Sequence, residues 1–261
     1  MKPTDKELER AKTYLRERLG AEYRLNQAAM EYITTAATQI VKIAYKYDIK
    51  PKQFKFSRNA QLHAEVSSVV TWLREMLEQE TERMAMENAE NEDDVAIVFT
   101  RKIGNKTFKQ RNAYNCRNFY YEVETAVIAA LLAGATEQEA LDAILDNLMT
   151  PYRNEYIKQA KKNANRNTRR IIDGGISFGR GRTNSMTKAI RDNIINTGAS
   201  AWMLADVAKA KRGNAIGFIT FRGSSYPCEQ CDESARIFHT FLDPFPPLHN
   251  HCCCGMAFVY E

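Results

Sequence analysis

The sequence predicts a mainly α-helical protein, a helical body with a small C-terminal α+β unit built as a zinc knuckle. Three observations point there. Before Gly213 apolar residues recur at helical spacing, as at Met30, Ile33, Ala37, Ile40 and Ala44. After Gly213 short runs of β-branched and aromatic residues take over. Five of the six cysteines and three of the four histidines then fall between Cys228 and Cys254.

Taken in order, Thr4 and Glu7 have capping-box spacing and open a polar helix expected to end near Gly20. A second helix is expected from about Asn26 to Tyr47 and, after Pro51, a third from about Ser57 to Asn88. Nine acids from Glu75 to Asp94 face Arg83 alone, which marks a solvated helix end and a boundary near Asn88–Asp94, or a dock for a basic partner. Val95–Phe99 reads equally as a strand or a helix start. Phe108 to Leu132 reads as a long helix closed by Gly134, and Thr136 with Glu139 caps the next, which stops before Pro151. The glycine-rich Gly174–Arg182 reads as a hinge, because Arg180-Gly181 stand where a phosphate-binding loop needs Lys then Ser or Thr. A helix from about Ser185 to Lys211 follows, then strands at Ile216–Phe221 and Met256–Tyr260. The expected regions are 1–92, 93–212 and 213–261.

At 261 residues the chain can bury a sizeable core, and 44% hydrophobic with 26% charged residues is the balance of a soluble protein. No run of about eighteen apolar residues occurs, so no membrane span is expected. The charged N-terminus lacks the apolar core of a secretory signal. A reducing cytosol therefore suits these cysteines better than the alternative, a C-terminal disulfide knot.

Cys228-x-x-Cys231 is followed after seventeen residues by His249-Asn250-His251-Cys252-Cys253-Cys254. Two ligand pairs, each with two intervening residues and joined by such a loop, have the spacing of a structural Zn²⁺ site. Four protein ligands leave no open position, which argues for scaffold over catalyst. Phe238, Phe241, Phe245 and Leu248 are expected to pack around the ion.

The stretch Gly217–Phe221, Cys228-x-x-Cys231, Pro246-Pro247-Leu248-His249 and Cys252-x-Cys254 resembles the C-terminal signature of phage Mu F-like head morphogenesis proteins. The resemblance covers about the last fifty residues. It departs at Asn250-His251, where the family has Pro-Asn, at Cys253, where the family has arginine, and in lacking a glycine soon after Cys231. The ligand set adopted is Cys228, Cys231, His249 and Cys252, with Cys254 or His251 as substitutes. The resemblance implies a non-enzymatic minor head protein, made in the bacterial host cytoplasm and placed in the virion head interior or at the portal. Its partners would be portal and capsid proteins, with oligomers in the head and contact with packaged double-stranded DNA as further expectations.

Two other readings compete. From Pro151 to Arg222 fifteen lysines and arginines face four acids. Lys161, Lys162, Arg166, Arg169, Arg170, Arg180 and Arg182 are the candidate phosphate contacts of a zinc-ribbon DNA-binding protein of a mobile element. His63-Ala64-Glu65 with Pro227-Cys228-x-x-Cys231 spells the signature of a zinc nucleobase deaminase. Against it stand the long separation of the halves and the complete ligand set already beside the cysteine pair.

Overall fold

A computed structural model describes residues 4–49, 55–149 and 185–260, together with Glu155, Lys158, Gln159 and Lys162. Helix α1 runs from Asp5 to Lys46. Its capping box closes as the sequence predicts. The Thr4 amide donates to Glu7 Oε2 at 2.6 Å, and the Glu7 amide donates to Thr4 Oγ1 at 3.3 Å. The expected break near Gly20 is absent. A mid-helix glycine costs about 1 kcal/mol, whereas each fully buried Leu or Ile gains about 1.5–3 kcal/mol. One continuous face, with Ala11, Ala21, Leu25, Ala29, Ile33 and Ile40 all buried, decides for continuity.

A 3₁₀ turn at Phe56–Arg58 precedes α2, Ala60–Asn88. Asn59 caps α2 by accepting from the Gln61 and Leu62 amides at 3.1 Å each. The ambiguous apolar run is helical and lies in α3, Asp93–Thr100. Asp93 and Asp94 in its first turn suit the helix dipole, and the Asp94 amide donates to Asn91 Oδ1. Helix α4, Phe108–Leu132, ends at Gly134 in the left-handed region (φ 72°), where the Ala135 amide reaches back to the Ala130 carbonyl. Helix α5, Glu137–Met149, opens on the Thr136–Glu139 box. Helix α6, Met186–Arg212, starts on the Ser185 hydroxyl, which accepts from the Lys188 amide.

The C-terminal unit is a three-stranded antiparallel sheet in the order β2-β1-β3, from β1 (Ala215–Phe221), β2 (Phe238–His239) and β3 (Gly255–Tyr260). A short helix, α7 (Glu229–Ser234), sits in the first crossover. Phe218 pairs with Phe258 on one side and His239 on the other.

Two compact units emerge, and they interleave along the chain where the sequence suggests consecutive regions. One comprises 1–27, 79–109 and 192–261; the other 28–78 and 110–191. The reason is helix length, since α1, α2 and α6 each contribute to both. In the first unit Met203 and Val207 of α6 pack on Phe218 and Met256 of the sheet, with Phe241, Phe245 and Phe258 alongside. In the second, Leu62, Val66, Leu73, Phe119, Val123 and Val127 are buried. Among the described residues no helix is long and apolar enough to cross a membrane. The glycine-rich segment expected as a hinge lies outside the described residues.

Candidate metal centre

Both ligand pairs lie in hydrogen-bonded turns. Cys228 is the extended residue before α7, and the Asp232 amide donates to its carbonyl at 2.9 Å. Cys231 follows within the first turn of α7, so one helical turn aims both thiols to the same side. Across from it, the Cys252 amide donates to the His249 carbonyl at 3.2 Å, and His251 within this turn adopts φ 59°.

The two turns meet in one cluster. Donor atoms of Cys228, Cys231 and His249 lie within 4.8 Å of one another, as do those of Cys231, Cys252 and Cys254. Cys231 belongs to both groups. His249 Nε2 is 3.1 Å from both the Cys228 and Cys231 sulfurs, and Cys231 Sγ is 3.9 Å from Cys252 Sγ. Ligands held about 2.0–2.3 Å from one tetrahedral ion stand about 3.5–3.8 Å apart, and the measured spacings bracket that range. The donor set fits a metal: thiols and one imidazole, largely shielded by Leu248, with no disulfide among the six cysteines.

His249 is pre-set for this role. Its Nδ1 lies 2.8 Å from the Asn250 carbonyl, which can only accept, so Nδ1 carries the proton and the Nε2 lone pair faces the thiols. The Cys254 thiol and backbone hydrogen bonds from Cys254 and Leu248 converge on the Cys252 sulfur and pull its pKa down to about 4. Cys254 is correspondingly pushed up, first by that hydrogen bond to Cys252 and then by burial. Cys252 and Cys254 both stand within donor distance of Cys231, so either can complete the set. His251 points elsewhere: its Nε2 pairs with Asp192 at 2.9 Å, and its amide donates to Asn196 Oδ1 at 3.2 Å. It ties the ligand turn to α6 and joins neither group of donors.

Comparison with known protein families, curated proteins and solved structures finds no match to this chain.

The residue that sequence reading missed is Arg18. Its guanidinium is fully buried and donates through Nη2 to the Cys252 carbonyl at 2.9 Å. Its Nε sits 3.0 Å from Glu22 Oε1, an ion pair angled away from a hydrogen bond. Burial pushes the Glu22 carboxyl up, and Arg18 opposes that shift. The ligand turn also needs Gly223, where an added Cβ would meet the Cys253 carbonyl oxygen at 2.0 Å and Leu15 at 2.7 Å. No local pattern reports either contact, because Arg18 and Cys252 are 234 residues apart.

Of the aromatic residues expected around the ion, Phe241 and Phe245 pack on Phe218 and α6 instead, while Leu248 covers the cysteines. Phe238 lies against Gly217, where any side chain would collide with its ring. Cys116 is buried in α4, as its isolation suggests.

Of the candidate phosphate contacts, Lys162 is an exposed helical residue. Lys161, Arg166, Arg169, Arg170, Arg180 and Arg182 lie outside the described residues. Other bases of the tract are committed internally. Arg212 grips both Asp94 oxygens at 2.8 and 2.9 Å and reaches Glu90 at 2.7 Å. Lys209 donates to Asn88, and Arg222 pairs with Asp232. The acidic run thus docks partly on the basic end of α6. His63 and Glu65 also have partners of their own, Tyr120 and Tyr47, and stand outside the cluster.

Proposed function

We propose that this chain is a minor head protein of a phage or prophage, whose C-terminal unit is fixed by a structural zinc ion and docks near the portal. The observation that carries the reading is the meeting of Cys228-x-x-Cys231 with the His249–Cys254 turn, in the order of strand, cysteine pair, proline loop, histidine and paired cysteines that characterises Mu F-like proteins.

Zinc is the ion that suits three thiols and an imidazole with no carboxylate among them. Cys228, Cys231, His249 and Cys252 would hold it. The ion would supply a cross-link between α7 and the ligand turn, with every coordination position filled by protein. The residues around it have positioning duties: Asn250 orients the imidazole, and Arg18 holds the turn's backbone. The role is that of a scaffold, which presents a fixed surface to portal and capsid proteins inside the head.

Quantitative mass spectrometry of nuclease-treated particles tests the assignment. A few copies per portal ring, retained at high salt, are expected. Absence from both full and empty heads, with steeply salt-dependent binding to naked DNA, would shift the assignment to a DNA-binding protein.

A further inference from the structure

The second unit contains a cavity of about 370 Å³ between α2 and α4, closed at one end by the 3₁₀ turn. It lies within the size range of small-molecule sites, about 300–1,000 Å³. Its lining is unbalanced in charge. Lys55, Arg74 and Arg117 contribute cations, and Glu124 is the one carboxylate. Glu124 is itself buried and committed to the Phe56 amide.

Lys55 and Arg117 have no acidic partner within 4 Å among the described residues, and Arg117 lies over the Tyr114 ring at 5.6 Å. Arg74 is already paired, with Glu75 at 3.5 Å and Glu78 at 3.9 Å. The Arg117 guanidinium and the Lys55 ammonium in the cavity wall suit a phosphate, which a guanidinium binds in forked geometry.

The remaining wall is aromatic. Tyr120 is nearly buried and locked by His63, whose Nδ1 is 2.8 Å from the phenol oxygen. Tyr121 packs edge-on to Tyr120 at 5.4 Å and is 45% exposed, leaving a ring free to stack. Cys116 also lines the space, but burial pushes its thiol up to about 12, so it offers no nucleophile.

We propose that this cavity binds a nucleoside monophosphate, with the phosphate against Arg117 and Lys55 and the base stacked on Tyr121. The same chemistry is offered by a free mononucleotide and by the 5′-phosphorylated end of a single strand.

Titration calorimetry of the full chain at low salt tests this with dAMP, deoxyadenosine and inorganic phosphate. Saturable dAMP binding is expected, about tenfold or more tighter than either fragment, since each charge-assisted contact is worth about a factor of ten. Arg117→Gln should weaken dAMP and phosphate alike by about tenfold. Tyr121→Ala should weaken dAMP and leave phosphate unchanged. Both side chains are at the surface, and an unaltered helical spectrum checks the fold of each variant. Absent dAMP saturation, equal affinity for all three probes, or indifference to both substitutions overturns the proposal. Displacement of dAMP by a short 5′-phosphorylated strand assigns the strand end as the source; failure to displace it assigns the free nucleotide, and both results support the shared chemistry.

Discussion

The segment from Cys228 to Cys254 and the α2–α4 pair are held by opposite means. The helices bury Leu62, Val66, Leu73, Phe119, Val123 and Val127, so their stability is spread over many apolar contacts. The ligand segment has a two-residue strand, a six-residue helix and exposed Ile237 and Leu242, and its buried centre is three cysteines capped by Leu248. Losing one apolar contact removes only its own share of that stability. A ligand cluster fails at once, because every donor is needed to hold one ion.

The largest effect should follow from Cys231→Ser, since Cys231 belongs to both donor groups. Structural zinc contributes about 10–16 kcal/mol in small metal-dependent folds, so losing this ligand should unfold the C-terminal unit. Limited proteolysis should then cut between about 222 and 261 while the helical signal of the rest persists.

Arg18 sharpens the comparison, because it joins α1 to the ligand turn. Arg18→Met removes the donor to the Cys252 carbonyl and strands Glu22, at a cost of about 3–5 kcal/mol. It should also speed loss of the ion to a chelator. Leu73→Ala, a cavity in the other unit, should cost about 2–5 kcal/mol in urea melts and leave metal content unchanged. Metal loss in the leucine variant would erase the distinction between the two regions.

The smallest effect concerns Asp206 on α6, which burial pushes up to about 6 against the opposing Asn88 hydrogen bond. The folded state therefore holds this proton more tightly than the unfolded chain. Its contribution favours folding at low pH and is lost as pH rises from about 4 to about 6. Asp206→Asn should accordingly gain up to about 2 kcal/mol on the wild type at pH 7 and nothing near pH 4. Paired denaturation curves at the two pH values measure it.

What the sequence made legible is local chemistry. The boxes at Thr4–Glu7 and Thr136–Glu139, the stop at Gly134 and the clustering of cysteines all act within a few residues, and each holds in the structure. Continuity of α1 through Gly20 was hidden because a glycine penalty is visible locally, whereas the buried face that outweighs it is not. The run at Val95–Phe99 was ambiguous for the same reason. Helix α7 went unread because a cysteine pair signals ligands without specifying the backbone between them. Arg18, Gly223 and the Asp192–His251 pair brace the His249–Cys254 turn from distant positions, and only the fold brings them there.

A single zinc ion, bound entirely by protein, is proposed to hold the C-terminal unit. X-ray absorption at the zinc edge of the purified chain, with elemental analysis, tests it most directly. One zinc per chain is expected, with sulfur neighbours at about 2.3 Å, one imidazole nitrogen at about 2.0 Å and no exchangeable water. A metal-free chain whose last fifty residues still resist protease, or a zinc that carries a water ligand, would contradict it.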